Sequence, residues 1–315
     1  MSALICGSIA YDTVMLFPGR FRDHILPDKI HMLNVSFLAP EMRRNFGGCA
    51  GNIAFNLKLL ESEGLIMATV GHDFGPYRKW LHQCGLDLRH VRELISAFTA
   101  QAYITTDDDN NQITAFHPGA MNFSHQNAVP PKSGVTIGIV APDGREGMIQ
   151  HAAQFAAAGI PFIFDPGQGL PMFGGPELAE FVRQATWVTV NDYEAQLLQD
   201  RIGAKLEVLA QQVKALIVTR GGEGSSVYTD GQRIDIPVAP VRAVADPTGC
   251  GDAYRAGLLF GLMKSYDWPT IGRIASLMGA IKIESHGTQN HRFTLAEFRS
   301  RYLESFGKSF GIELP

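Results

Sequence analysis

Between Asp246 and Gly257 the chain reads DPTGCGDAYRAG. Gly249, Cys250 and Gly251 separate Thr248 from Asp252, and Ala256, Phe260 and Met263 follow at helical spacing. The glycines therefore fall at a helix N-terminus, where unpaired amides and the positive end of the helix dipole favour an anion. Glycine lets phosphate oxygens reach those amides with no Cβ in the way. Asp252 would repel such an anion, unless its task is to take a proton from an attacking hydroxyl. A carboxylate base beside an oxyanion cradle is the minimal apparatus for phosphoryl transfer to an alcohol. A capped helix with two tight-turn glycines would use the same residues, and this stretch alone does not separate the two. The chain has no G-x-x-x-x-G-K-[ST] and no G-x-G-x-x-G after its first strand, which argues against a Walker loop and a dinucleotide-dependent dehydrogenase.

Elements that could position such a site are visible along the chain. Short apolar runs at 3–10, 65–71, 135–141, 161–165, 187–190 and 215–219 read as buried parallel strands. Helix-like segments lie between most of them. NIAFNLKLL, for example, puts Ile53, Leu57 and Leu60 on one face. This alternation predicts a doubly wound α/β sheet. Residues 12–40 carry few helix signals, and residues 100–119 alternate at period two on both sides of DDDNN, the pattern of a β-hairpin. These two insertions predict a small sheet standing over the carboxyl ends of the parallel strands as a lid. HQNAVPPKSG reads as a surface linker.

Five ordered motifs together resemble the ribokinase, or PfkB, family of sugar and nucleoside kinases. DPTGCGD resembles the family's D-[TP]-x-G-[AC]-G-D signature, and GGCAGNIA (Gly47 to Ala54) resembles its first signature. GSIAYD (Gly7 to Asp12) resembles its first strand, NDYE (Asn191 to Glu194) its N-x-x-E motif, and TRGGEG (Thr219 to Gly224) its nucleotide-binding segment. The resemblance implies a three-layer αβα sandwich with a mostly parallel central sheet and a small β lid. Residues 1–11, 41–99 and 120–315 would form the large domain, with 12–40 and 100–119 as the lid. Asp252 would be the base, with the amides of Gly249, Cys250, Gly251 and Asp252 as the cradle. Ser8, Asp12, Gly47, Gly48 and Asn52 would hold the ribose, and vicinal hydroxyls suit a carboxylate acceptor. Asn191, Thr219, Gly221, Gly222 and Gly224 would face ATP, and Glu194 with Asn191 would organise magnesium through water.

The acceptor is expected to be a ribonucleoside, adenosine foremost. ITAFHPGAM and DPGQGLPMF resemble bacterial nucleoside kinases more than ribokinases; Phe116 offers a face for a purine, and Gln168 is a weaker candidate contact. A ribose or other sugar kinase is the alternative within the family, and a non-catalytic nucleoside sensor the alternative outside catalysis. Two departures stand out. Pro247 replaces a common threonine and removes one N–H outside the cradle. ESHGTQNH, which spans the loop where relatives bind a monovalent cation (here near Ser285 to Thr288), differs too much to assign potassium.

Composition sets outer bounds. The 315 residues are 45% hydrophobic and 18% charged with a net charge of −4, ample for a large core and without the basic footprint of a nucleic-acid binder. The four cysteines are scattered with no CxxC pair, so they read as reduced, small apolar residues, and Cys250 as a stand-in for alanine. No run approaches a membrane span, and MSALICGSIAYD reads as a strand rather than a signal peptide. A cytoplasmic monomer or homodimer binding ATP and a nucleoside or sugar is the expectation.

Overall fold

The computed structural model describes residues 2–25, 34–109, 111–130 and 134–311. Parts of the insertion at 12–40, of DDDNN and of the linker lie outside those residues.

Nine strands form the large sheet: β1 (Ser2–Cys6), β4 (Glu63–Gly71), β5 (His90–Leu94), β8 (Val135–Val140), β9 (Phe162–Phe164), β10 (Trp187–Asn191), β11 (Ala215–Thr219), β12 (Ser225–Thr229) and β13 (Gln232–Ile236). Their order is β13-β12-β11-β10-β9-β8-β1-β4-β5. All neighbours pair parallel except β11–β12 and β12–β13. Alternation along each strand sends side chains to two cores. In β1, Ala3 and Ile5 join one core, and Leu4 and Cys6 the other. The first core is closed by α1 (Cys49–Leu59), α2 (Gly75–Gln83), α7 (Cys250–Met263), α8 (Trp268–Ile283) and α9 (Leu295–Phe306). The second is closed by α3 (Arg145–Ala157), α4 (Gly175–Gln184), α5 (Asp192–Ile202) and α6 (Leu206–Ala210). The three-layer expectation holds, and Ile53, Leu57 and Leu60 are all buried.

A four-stranded sheet, ordered β3-β2-β6-β7, stands apart from the large one. It comprises β2 (Ala10–Leu16), β3 (Glu41–Gly47), β6 (Ala100–Thr106) and β7 (Gln112–His117). The expected boundary at residue 41 needs correction. Glu41–Gly47 pairs antiparallel with β2 from Ala10↔Gly47 to Leu16↔Glu41, so it belongs to the small sheet. Its first four residues, Glu41, Met42, Arg43 and Arg44, are exposed, which is why it carries no buried-strand pattern. The run Ala3–Ala10 is likewise not one strand. It breaks at Gly7–Ile9 and passes from one sheet to the other.

Gly48 packs closely against this break. Gly48 has φ of 87°, and a Cβ there would lie 2.6 Å from both the Ala10 nitrogen and the Ser8 carbonyl oxygen. Gly48→Ala is therefore expected to destabilise the fold by at least about 1–3 kcal/mol through backbone strain. Urea unfolding should show a lower midpoint at unchanged slope.

Candidate active site

The chemistry-bearing side chains collect where the parallel strands end. Ser8 lies just past β1, Asp165 follows β9, Asn191 closes β10 and Thr219 closes β11. This edge is where open α/β sheets bind ligands. Helix α7 begins at the same edge. Its cap, Gly249, has φ of 81°, and a Cβ there would press within 3.0 Å of the Thr288 methyl group.

The amides at the start of α7 differ from one another. Those of Gly249, Gly251 and Asp252 have no hydrogen-bond partner among the described residues, whereas the Cys250 amide donates to the Pro247 carbonyl at 3.2 Å. The cradle thus offers three open donors, and the Cys250 N–H is already engaged. Burial pushes the Cys250 thiol up to about 11, so it stays protonated and unreactive at neutral pH.

Asp252 lies in the first turn of α7, and its Oδ2 accepts from Asn52 Nδ2 at 2.8 Å. Asn52 is held in turn. Its Oδ1 accepts from Gln289 Nε2 at 2.9 Å, while Trp80 Nε1 donates to Gln289 Oε1 at 2.8 Å. The chain Trp80–Gln289–Asn52–Asp252 fixes the amide orientation and aims the carboxylate. It leaves Asn52 one free N–H. Burial lifts Asp252 to about 6, against the opposing Asn52 hydrogen bond. Asp12, on β2, is also lifted to about 6, first by burial and then by the charges of Asp252 and Asp246. Gly47 makes room for it, since a Cβ there would meet Asp12 Oδ2 at 2.4 Å. Ser8 serves the backbone around this point: its Oγ accepts from the Cys49 amide at 3.2 Å and its carbonyl from the Ala50 amide at 2.9 Å.

One turn after Gly251, Arg255 reaches under the cradle. Its Nε and one terminal nitrogen bond the two oxygens of Asp165 at 3.0 and 2.9 Å. Both residues are buried. The ion pair ties α7 to the end of β9, and at Asp252 the Asp165 charge, which raises its pKa, outweighs that of Arg255.

Asn191 and Glu194 form a reciprocal capping box on α5. Asn191 Oδ1 accepts from the Glu194 amide at 2.7 Å, and Glu194 Oε2 accepts from the Asn191 amide at 2.8 Å. Burial, with Asp165 nearby, pushes Glu194 up. Among the described residues no group of three or more His, Cys, Asp or Glu side chains is arranged for a metal. After Thr219, side chains at Gly221 and Gly222 would project into open space, while Gly224, with φ of 83°, would drive a Cβ to 2.3 Å from the Ile236 carbonyl oxygen. The turn is thus bare on its outer side and strained for any other residue at its end. Phe116 is 52% exposed on β7 and stands opposite Ala102. Gln168 is exposed in the short turn Gly167–Met172. Neither is joined to the carboxylate cluster by a hydrogen bond among the described residues.

Sequence reasoning missed Gln289, Trp80, Arg255 and Asp165. Arg255 sits inside the quoted DPTGCGDAYRAG stretch. Its position one turn below the glycines was the available signal.

Open amides at a glycine-rich helix start and a raised carboxylate beside them, at the edge where the parallel strands end, define a phosphotransferase with a hydroxyl acceptor. The model of the pfkB family of carbohydrate kinases matches residues 12–294, and the chain belongs to that family. It is 50% identical to a nucleoside kinase of Burkholderia thailandensis, whose structure in complex with inosine superposes with a TM-score of 0.89 over 98% of this chain and 99% of that one. It is 32% identical over 260 residues to a nucleoside kinase of Methanocaldococcus jannaschii, covering 82% of this chain and 85% of the relative. A ribokinase of Thermotoga maritima, 20% identical, shares the fold with a TM-score of 0.76 over 96% of this chain and 99% of its own. Among the described residues no helix is long and apolar enough to cross a membrane.

Proposed function

We propose that this protein transfers the γ-phosphoryl group of ATP to the 5′-hydroxyl of a ribonucleoside, adenosine among its acceptors. The observation that carries the reading is the pairing of open amides at Gly249, Gly251 and Asp252 with a carboxylate aimed by Asn52 in the same helical turn. The similarity to a kinase crystallised with inosine and with ADP–inosine supports a nucleoside over a free sugar.

Asp252 takes the proton of the attacking hydroxyl. Asp12 and the free Asn52 N–H hold the ribose hydroxyls, and the glycines at 47 and 48 keep the floor of that subsite bare. Phe116 supplies an aromatic face for the base, and Gln168 a polar edge. Thr219 and the turn Gly221–Gly224 flank the adenine nucleotide, with Asn191 toward its phosphates. Arg255, paired with Asp165, holds the first turns of α7 against the end of β9. Glu194 would hold magnesium through water, and the metal, when bound with ATP, neutralises phosphate charge.

ATP consumption across adenosine, inosine, uridine and ribose tests the acceptor. Ribonucleosides should exceed ribose in kcat/KM, and faster turnover of ribose would overturn the assignment. Because Asp252 must be ionised to act, kcat should fall as pH drops through about 6. Asp12 titrates in the same range beside it, so the limb belongs to the pair. A flat profile between pH 5 and 8 with chemistry rate-limiting would exclude the base role.

A further inference from the structure

Lys282, near the end of α8, has no exposed surface. Its ammonium donates to the Asp246 carbonyl at 2.7 Å and to the Ser285 carbonyl at 3.1 Å. Those carbonyls come from the two segments that frame the cradle. Asp246 opens the glycine-rich turn, and its carboxylate accepts from the Thr248 and Gly287 amides, both at 2.9 Å. The Ala245 and Asp246 amides donate back to the Ile283 carbonyl at 2.8 and 3.1 Å. Thr288, in the second segment, packs on Gly249 and donates to the Phe46 carbonyl at 2.7 Å. The cradle therefore keeps its shape only while these two loops stay together.

Carbonyl oxygens converging from two loops, with a carboxylate close by, make a site for a weakly hydrated monovalent cation. In this chain two of the oxygens such an ion would need are already taken by an amine on a buried stem. The residues thus do not fit a free potassium ion. We propose that the Lys282 ammonium is a covalently tethered replacement for that ion, which holds the loops at 246–249 and 285–288 together so that the cradle forms without potassium. Lys282 touches no substrate in this scheme; it is a positioning residue. The inference rests on the cradle's role as the phosphate site, and nucleotide affinity tests it without any acceptor.

Two measurements decide it. The wild-type protein is assayed in potassium chloride and in tetramethylammonium chloride at equal ionic strength, for kcat, for ADP affinity by calorimetry and for Tm. No quantity should depend on the cation; a gain of about tenfold or more in kcat or ADP affinity with potassium would overturn the proposal. Lys282→Met is then expected to lose kcat by roughly 10²-fold, the scale of a misplaced oxyanion donor, with much weaker ADP binding. Potassium or ammonium should restore part of both and raise Tm, while tetramethylammonium, too large for the gap, should not. A folded variant with unchanged kcat, or a loss that no small cation reverses, would refute the tethered-ion role. Should Lys282→Met fail to fold, Lys282→Gln takes its place, and the wild-type comparison still decides. Absence of turnover with every ribonucleoside, alongside cation-independent ADP binding, would count against the nucleoside assignment and leave this inference standing.

Discussion

Asp252→Asn is expected to lower kcat by about 10²–10⁴, the usual contribution of a positioned base, while nucleoside binding survives. The amide can still accept from Asn52 Nδ2, which now meets the carboxylate at 2.8 Å, so the local geometry is kept and only the basicity is removed. Single-turnover quench-flow with labelled ATP reads the chemical step, and calorimetry reads nucleoside affinity. Equal loss of both would make Asp252 a binding group. The same variant carries a second, opposite signature in stability. Burial raises Asp252 to about 6 in the folded protein, above the ordinary value near 4 of an unfolded chain. Its favourable contribution is complete below pH 4 and is lost as pH rises through about 6. Asparagine does not titrate. The variant should therefore be more stable than the wild type at pH 7.5, with the difference shrinking toward pH 5. Urea midpoints at the two pH values would detect the change in gap. Loss of rate with gain of stability would mark Asp252 as a group held ionised at an energetic disadvantage because the reaction needs it.

The second large effect concerns Arg255 and Asp165. Each is buried and bonded to the other through two contacts at 2.9 and 3.0 Å. Removing one partner leaves an uncompensated charge, and Arg255→Met or Asp165→Leu should each destabilise by about 3–5 kcal/mol. The double variant should lose much less than the sum, because no lone charge remains. Denaturant unfolding of all four proteins closes the cycle. Additive losses would show that the two residues act independently. The double variant should still be impaired in catalysis, since the tie between α7 and the end of β9 beneath the cradle is gone.

Residues that advertise themselves by local pattern account for what the sequence revealed. Strands such as ALIVT and WVTV are buried on both faces, so apolar composition alone marks them. The strands that escaped, HVREL, SSVYT and QRIDI, lie at or next to the edges of the large sheet; two carry charges and the third is polar, and all three depend on a partner strand for their form. EMRRNFG was harder still, since its placement follows from pairing with β2 and not from its own composition. The site divides in the same way. Gly249 to Asp252, Asn191 with Glu194, and Gly47 with Gly48 are each contiguous or nearly so, and their chemistry can be read from spacing. Gln289 lies 237 residues from the Asn52 it orients, and Arg255 lies 90 from Asp165. Such contacts exist only once the sheet has brought the strand ends together. The engaged Cys250 amide is of this kind too. Four donors were expected there, and the turn at Pro247 consumes one.

The small sheet owes nothing to the strand order of the large one. Its strands enter and leave through short crossings, at Gly7–Ile9, at Gly47–Gly48 and beside Phe98 and Gly119. Under the proposed assignment, Asp12 and Phe116 meet the acceptor from the small sheet, while Asn52 and Asp252 meet it from the large half. Exchanging the small sheet for that of another kinase with the same crossings should shift the preference among alcohols, while the phosphorylating half continues to work.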